Sequence, residues 1–206
     1  MFRPLLWPSL VTLALSIVRL LSEVQGWVTT ASGGRGLPLG ISWLIFVLGG
    51  YWGHRLARGD AGPRVARAWS WPLVAMLAVV VTGLVLVRPL VGAPHSEATW
   101  TQLRVAVLAM AGVTTLGAVA MFFAWPRLAL LLLLYAIPAR ATVVGIALLA
   151  KDRGWDTHYT KFGPMGMERD AAESLVAVLA SQVGFWIPLT IVGGVLAGSL
   201  FARRRA

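Results

Sequence analysis

SIVRLLSEVQGW, residues 16–27, closes the first long apolar run of the chain and carries Arg19 and Glu23 four residues apart among leucines and valines. A segment suited to a lipid bilayer does not hold charges near its middle without partners, because each costs about 2.5–3.5 kcal/mol at the bilayer centre on insertion scales. The reading of this stretch therefore governs the rest. Ser9, Thr12, Ser16, Arg19, Glu23 and Gly26 follow one another at steps of 3, 4, 3, 4 and 3. That spacing puts all six on one helical face. Lipid offers this face no hydrogen bonds, so it should turn toward other helices. Arg19 and Glu23 can pair along it, which makes a self-compensated structural pair the plainest account of the two charges.

The composition places the stretch in a membrane. Of 206 residues, 58% are hydrophobic and 13% charged, against roughly 45–50% and 25% in soluble domains. The first run reads as a retained span. It is long for a signal peptide, is interrupted by charge and lacks a small-residue cleavage site. There is no cysteine, which excludes disulfides and thiolate metal sites. The net charge of +10 is expected from arginines gathered in cytoplasmic loops, and nucleic acid is not an expected partner.

Six spans are predicted in one all-α transmembrane domain covering residues 1–206: about Leu5–Val28, Pro38–Leu56, Trp69–Val91, Leu103–Ala124, Pro126–Ala150 and Glu173–Phe201. Trp7 and Trp27 bracket the first, as interfacial tryptophans do. A Ser32-Gly33-Gly34 break precedes the second, and Trp125-Pro126-Arg127 makes a tight hairpin with proline in the first turn of the fifth. With this map one side collects nine basic residues, Arg3, Arg55, Arg58, Arg64, Arg67, Arg127 and Arg203–Arg205. The other mixes Arg35, Lys151, Arg153, Lys161 and Arg169, with Arg88 and Arg104 near helix ends, and six acidic residues. The first side is expected to be cytoplasmic, with both termini inside a plasma (inner) membrane.

Two more polar residues fall inside spans. Arg140 follows Pro138 in the fifth, and Gln182 lies in the sixth. At about 1.5 Å per residue, Arg19 lies roughly 12 Å below Trp27, Arg140 roughly 16 Å below Lys151 and Gln182 roughly 14 Å below Glu173. All three reach a similar depth in the outer half, with Glu23 nearer the surface. Arg19 and Arg140 against Glu23 leave one positive charge in excess. Pro138 removes a backbone hydrogen bond one turn before Arg140.

The longest loop, residues 151–172 and entering the sixth span at Glu173, holds Asp156, His158 and Tyr159 over the mouth of this seam. One reading makes it a lid in which His158 or Tyr159 contacts a ligand. Another makes it an interfacial loop with Trp155 and Tyr159 at the head groups. Asp156 and His158 with Glu168 or Asp170 lack the multi-histidine spacing of firm metal sites, and neither metal nor cofactor is expected. Gly49/Gly53 and Gly194/Gly198 have the spacing of close helix contacts. His54 reads as a head-group contact, His95 has no visible partner, and the Arg55–Arg67 cluster suits anionic lipid. There is no HExxH, GxSxG, GxGxxG or Walker A motif.

The segments SLVTLALSIVRLLSEVQGW, GISWLIFVLGGYWGHRLARGDAGP, ARATVV, GWDTHY and QVGFWIPLTIVGG resemble those of an uncharacterised family of small multi-pass bacterial membrane proteins. The resemblance spans most of the chain and implies a shared fold, with no activity attached. Arg19, Glu23, His158, Tyr159 and Gln182 lie inside the matching segments, which suggests one shared outer-side site. The leading expectation is a protein that binds or moves a small polar or anionic ligand, a lipid head group included. Arg19 and Arg140 would hold the anion, Glu23 would orient Arg19, Gln182 would add a hydrogen bond, and His158 with Tyr159 would close the mouth. The alternatives are an accessory subunit whose seam docks a membrane partner helix, and a membrane enzyme. A thin scaffold without an internal repeat also makes a homodimer a candidate state.

Overall fold

The computed structural model describes residues 3–31, 40–90, 96–161 and 171–202. The described residues form helices and connecting turns. These are α1 (Arg3–Val24), α2 (Leu44–Arg58), α3 (Ser70–Thr82), α4 (Glu97–Ala124), α5 (Pro126–Asp152), α6 (Ala171–Leu179) and α7 (Ile187–Phe201). A π-helical segment, Gly83–Val87, and a 3-10 turn, Arg88–Leu90, extend α3. A second π segment, Ala180–Trp186, joins α6 to α7. Five stretches are long and apolar enough to cross a membrane: Leu5–Val24, Ser70–Leu90, Ala98–Ala124, Pro126–Asp152 and Leu175–Phe201. The outward surface is correspondingly apolar. Val74, Leu108, Leu116 and Phe123 are all exposed, as in a multi-pass membrane protein.

Three expected boundaries move. The fourth helix begins at Glu97, not Leu103. The first helix ends at Val24, not Val28. Gly26 leaves the polar face and takes φ 73°. The Trp27 amide bonds the Ser22 carbonyl at 2.8 Å, and the Gly26 amide bonds Glu23 at 3.0 Å, the left-handed closure that glycine supplies most cheaply. The fifth helix ends the same way. Gly154 has φ 62°, and the Trp155 amide reaches the Ala150 carbonyl at 2.9 Å. The second helix begins at Leu44, after turn residues 41–43, and has 15 residues. It is about 22 Å long, short of the about 30 Å hydrocarbon core. The Ser32-Gly33-Gly34 break, Pro38, Arg35 and His95 lie outside the described residues, as do Glu168, Arg169, Asp170 and Arg203–Arg205.

α7 is the central helix, packing on α2, α3, α4 and α5. Its two glycines meet those of α2. A Cβ on Gly49 would run into the Gly194 backbone, and one on Gly53 into Gly198. The two glycine spacings are thus halves of one contact, in which backbones touch because neither side carries a side chain. Leu128, Leu132, Met121, Trp125, Val192 and Val195 fill the core beside it, all fully buried. At this end of the bundle Trp125 Nε1 donates to the Ala61 carbonyl at 2.7 Å, and the Arg64 amide donates to Ala124 at 2.9 Å. The α2–α3 connection is thereby tied across the α4–α5 hairpin. His54 Nδ1 lies 3.4 Å from the Phe201 carbonyl.

α1 packs on α5. Both run from the end that holds Trp125 toward the end that holds the 153–161 loop, so the polar face of α1 is laid along α5.

Candidate functional site

Four of the six positions expected on one buried face of α1 are buried, while Ser9 is half-buried and Gly26 is exposed. Thr12, Ser16, Arg19 and Glu23 are at most 3% exposed. The lowest of the four buried members, Thr12, donates to the Pro8 carbonyl at 2.9 Å and shares a 2.7 Å hydrogen bond with Tyr135 of α5. Two turns further along, Arg19 Nε contacts Glu23 Oε1 at 2.7 Å, the i, i+4 pair read from the spacing.

The pair is not self-contained. The 153–161 loop folds back over the end of α1 and α5. His158 donates its amide to Glu23 Oε2 at 2.9 Å and places Nδ1 2.6 Å from Glu23 Oε1. Glu23 has no exposed side-chain surface, whereas 19% of the His158 side chain reaches solvent. The Tyr159 ring lies 3.9 Å from the imidazole. It packs among Leu20, Ile146, Ala147, Ala150 and Val178, 7% exposed. Tyr159 is therefore buried and is not a head-group anchor. Burial, and secondarily the Glu23 charge, push its phenol up to about 12, with Arg19 opposing.

Asp156 serves the outside of the loop. It contacts Lys161 Nζ at 2.6 Å and accepts from Thr30 at 3.1 Å, while Lys161 also donates to the Thr30 carbonyl and hydroxyl. The Lys161 hydrogen bond is the main reason its carboxyl lies below the usual range. Thr157 is fully buried with no partner for its hydroxyl.

Arg140 occupies a second, deeper cluster. It is 6% exposed. Nη2 reaches Thr190 Oγ1 at a long 3.4 Å, the guanidinium sits 4.8 Å from the Trp186 ring centroid, and Nε has no partner. Among the described residues no carboxylate lies within ion-pairing distance of it. Gln182 is buried nearby in sequence to Trp186, on the same π segment, but its amide nitrogen bonds Ser181 Oγ at 3.1 Å and its Oε1 is unpartnered. No hydrogen bond joins Gln182 to Arg140, or Arg140 to the Arg19–Glu23–His158 cluster. The structure thus brings Arg19, Glu23, His158 and Tyr159 together and leaves Arg140 and Gln182 apart from them.

Sequence reasoning missed Trp186, Thr190 and Tyr135 as polar or aromatic partners inside the bundle. It also missed the π segment, a form that frequently marks functional positions. Here one of its carbonyls, Gly184, accepts from Thr114 of α4 at 3.2 Å. α5 runs unbroken through Pro138, with Thr142 donating to the Pro138 carbonyl at 3.0 Å. Residues 40–43 precede α2 as non-helical chain, and Gly40 lies beside the Arg19 guanidinium. Irregular backbone next to a buried cation inside an apolar bundle is tolerated where protein or a polar cavity surrounds it. No protein-family model, curated protein or solved structure matches the chain.

Proposed function

We propose that this is a six-span plasma-membrane protein of the bacterial inner-membrane type, with both termini cytoplasmic, that binds or moves a small anionic or polar ligand. The second crossing would combine α2 with the non-helical residues before it. The basic residues Arg55, Arg58, Arg64, Arg67 and Arg127 belong to the end that holds Trp125, and the mixed-charge loop belongs to the other, as the positive-inside rule requires.

The observation that carries the ligand reading is Arg140. Arg19 has its carboxylate and Arg140 has none among the described residues, so the excess positive charge resides on a buried guanidinium with an open Nε. Such a group is stabilised by an anion that completes its hydrogen bonds. Trp186 and Thr190 contact it, Gln182 lies one helical turn before Trp186 with spare hydrogen-bonding capacity, and the His158–Glu23 contact closes the bundle above. The burial of Thr12, Ser16, Arg19 and Glu23 against the protein itself argues against a seam that docks a foreign helix.

The test is thermal unfolding in detergent against phosphate, sulfate and short carboxylates. At least one should raise the melting temperature of the parent protein and of Arg140→Lys in part, and leave a folded Arg140→Ala protein unmoved. Equal stabilisation of Arg140→Ala, or no stabilisation of the parent together with a misfolded Arg140→Ala, overturns the reading.

A specific contact favours membrane enzyme as the second reading. A carboxylate 2.6 Å from Nδ1 of a partly exposed histidine fixes the ring and leaves Nε2 able to act as a base. Water would have to be the nucleophile, because among the described residues no serine, threonine or lysine side chain is hydrogen-bonded to the ring. Turnover of a phosphate or carboxylate ester by the parent, lost in His158→Gln, supports it; no turnover by the parent removes it.

A further inference from the structure

The end of the bundle opposite His158 holds a cleft that the anion reading does not use. α1 and α2 both pack on α5, and contact between the two is at most marginal among the described residues. The gap between them is a cavity of about 640 Å³ lined by Trp7 and Pro8 of α1, Tyr51, Trp52, Arg55 and Leu56 of α2, and Leu131 of α5. That volume falls in the range of about 300–1,000 Å³ found for small-molecule sites.

Three features identify the occupant. The walls are aromatic and aliphatic, and Trp7 and Tyr51 are exposed on the lipid-facing surface, so the cleft opens sideways into the membrane. Arg55, in the last turn of α2, stands at its rim. It donates to Tyr51 Oη at 3.0 Å, and its guanidinium lies 5.8 Å from the Tyr51 ring. Among the described residues it has no carboxylate within 4 Å. Trp52 is 3% exposed, and its indole N–H is buried without an acceptor. A cation at the edge of an apolar slot, with an indole buried in its wall, matches a molecule with a negative head and a hydrocarbon tail.

We infer that this cleft binds an anionic phospholipid, one acyl chain lying along Trp7, Leu56 and Leu131 and the phosphate held by Arg55. The preference for an anionic head follows from Arg55 and from the neighbouring Arg58, which leave the rim cationic. The site is independent of Arg140, and either can fail without the other.

Native mass spectrometry of the protein released from mixed micelles of phosphatidylglycerol and phosphatidylcholine in equal amounts provides the test. One phosphatidylglycerol should be retained per chain, favoured over phosphatidylcholine by about five- to tenfold, in line with one or two cationic contacts. Arg55→Gln should abolish the preference. Arg58→Gln, outside the cleft, should reduce it by less than half. Leu131→Trp fills the floor and should remove bound lipid while Arg55 is intact. Equal retention of both lipids by the parent, or an unchanged preference in Arg55→Gln, overturns the inference. So does a second copy of the chain held at this face in place of lipid. Far-ultraviolet circular dichroism of each variant confirms that lost lipid is not lost fold.

Discussion

Glu23 Oε1 lies 2.6 Å from His158 Nδ1 and 2.7 Å from Arg19 Nε, so one buried carboxylate ties the last turn of α1 to a loop 135 residues further along the chain. The contact turns a local ion pair into the clamp that holds the 153–161 loop on the bundle.

Removing the carboxylate should cost far more than removing the loop's histidine. Glu23→Gln leaves the Arg19 guanidinium buried without its counter-charge, a change that costs about 3–5 kcal/mol. His158→Ala removes a partly exposed partner and should cost about 1–2 kcal/mol. The double change Arg19→Met with Glu23→Leu should recover much of the loss, because no bare charge remains. Unfolding in detergent, followed by tryptophan fluorescence, measures all three; a double variant no more stable than Glu23→Gln would show that the bare charge is not the source of the loss.

Stability should fall in strongly alkaline solution through Tyr159. Its phenol is pushed up to about 12 by burial in the folded protein, against about 10 when unfolded. The folded state therefore keeps a proton that the unfolded state has released. The stabilisation is complete below about pH 10 and is lost as pH rises toward 12, on the order of 2 kcal/mol in all. Tyr159→Phe should abolish this component of the alkaline transition, read by tyrosinate absorbance alongside unfolding.

The glycine contact between α2 and α7 should be intolerant of a single methyl. Gly49→Ala places Cβ into the Gly194 backbone, and overpacking of this kind costs about 1–3 kcal/mol. Gly145→Ala is the control. Nothing lies within 4 Å of its Cβ position on α5, so it should be neutral or stabilising by up to about 1 kcal/mol. Melting temperatures compare the two.

Trp125→Phe should loosen the α2–α3 connection. It deletes the 2.7 Å bond to the Ala61 carbonyl and leaves that acceptor at a site only 8% exposed, a loss of about 1–3 kcal/mol. Trypsin cleavage near Arg64 and Arg67 should quicken in the variant, while a cleavage rate equal to the parent's would mean that the backbone bond from Arg64 to Ala124 suffices.

Much of this protein follows from local pattern. Apolar run lengths mark the spans, the 3- and 4-residue steps of Thr12, Ser16, Arg19 and Glu23 mark a buried face, and Pro126 marks the α4–α5 hairpin. These are properties of one helix at a time, and side-chain periodicity reports them directly. Helix ends were less legible. Gly26 matches the polar spacing and yet adopts positive φ, because the signal for a cap and the signal for a face coincide at that residue.

The partner of each buried charge was decided only in three dimensions. Spacing alone pairs Arg19 with Glu23, but nothing local says that His158 arrives as a third member. Nor does it say that Arg140 meets Trp186 and Thr190 and does not meet Gln182. Those outcomes depend on how α1, α5 and α7 are rotated about their axes and on the π segment Ala180–Trp186, which changes the register of the last span. A helix carries its own backbone bonds and hydropathy, so its existence is written locally. Its rotation and depth are set by contacts with neighbours distant in sequence, such as the backbone touch of Gly49 on Gly194, and those exist only once the bundle has closed.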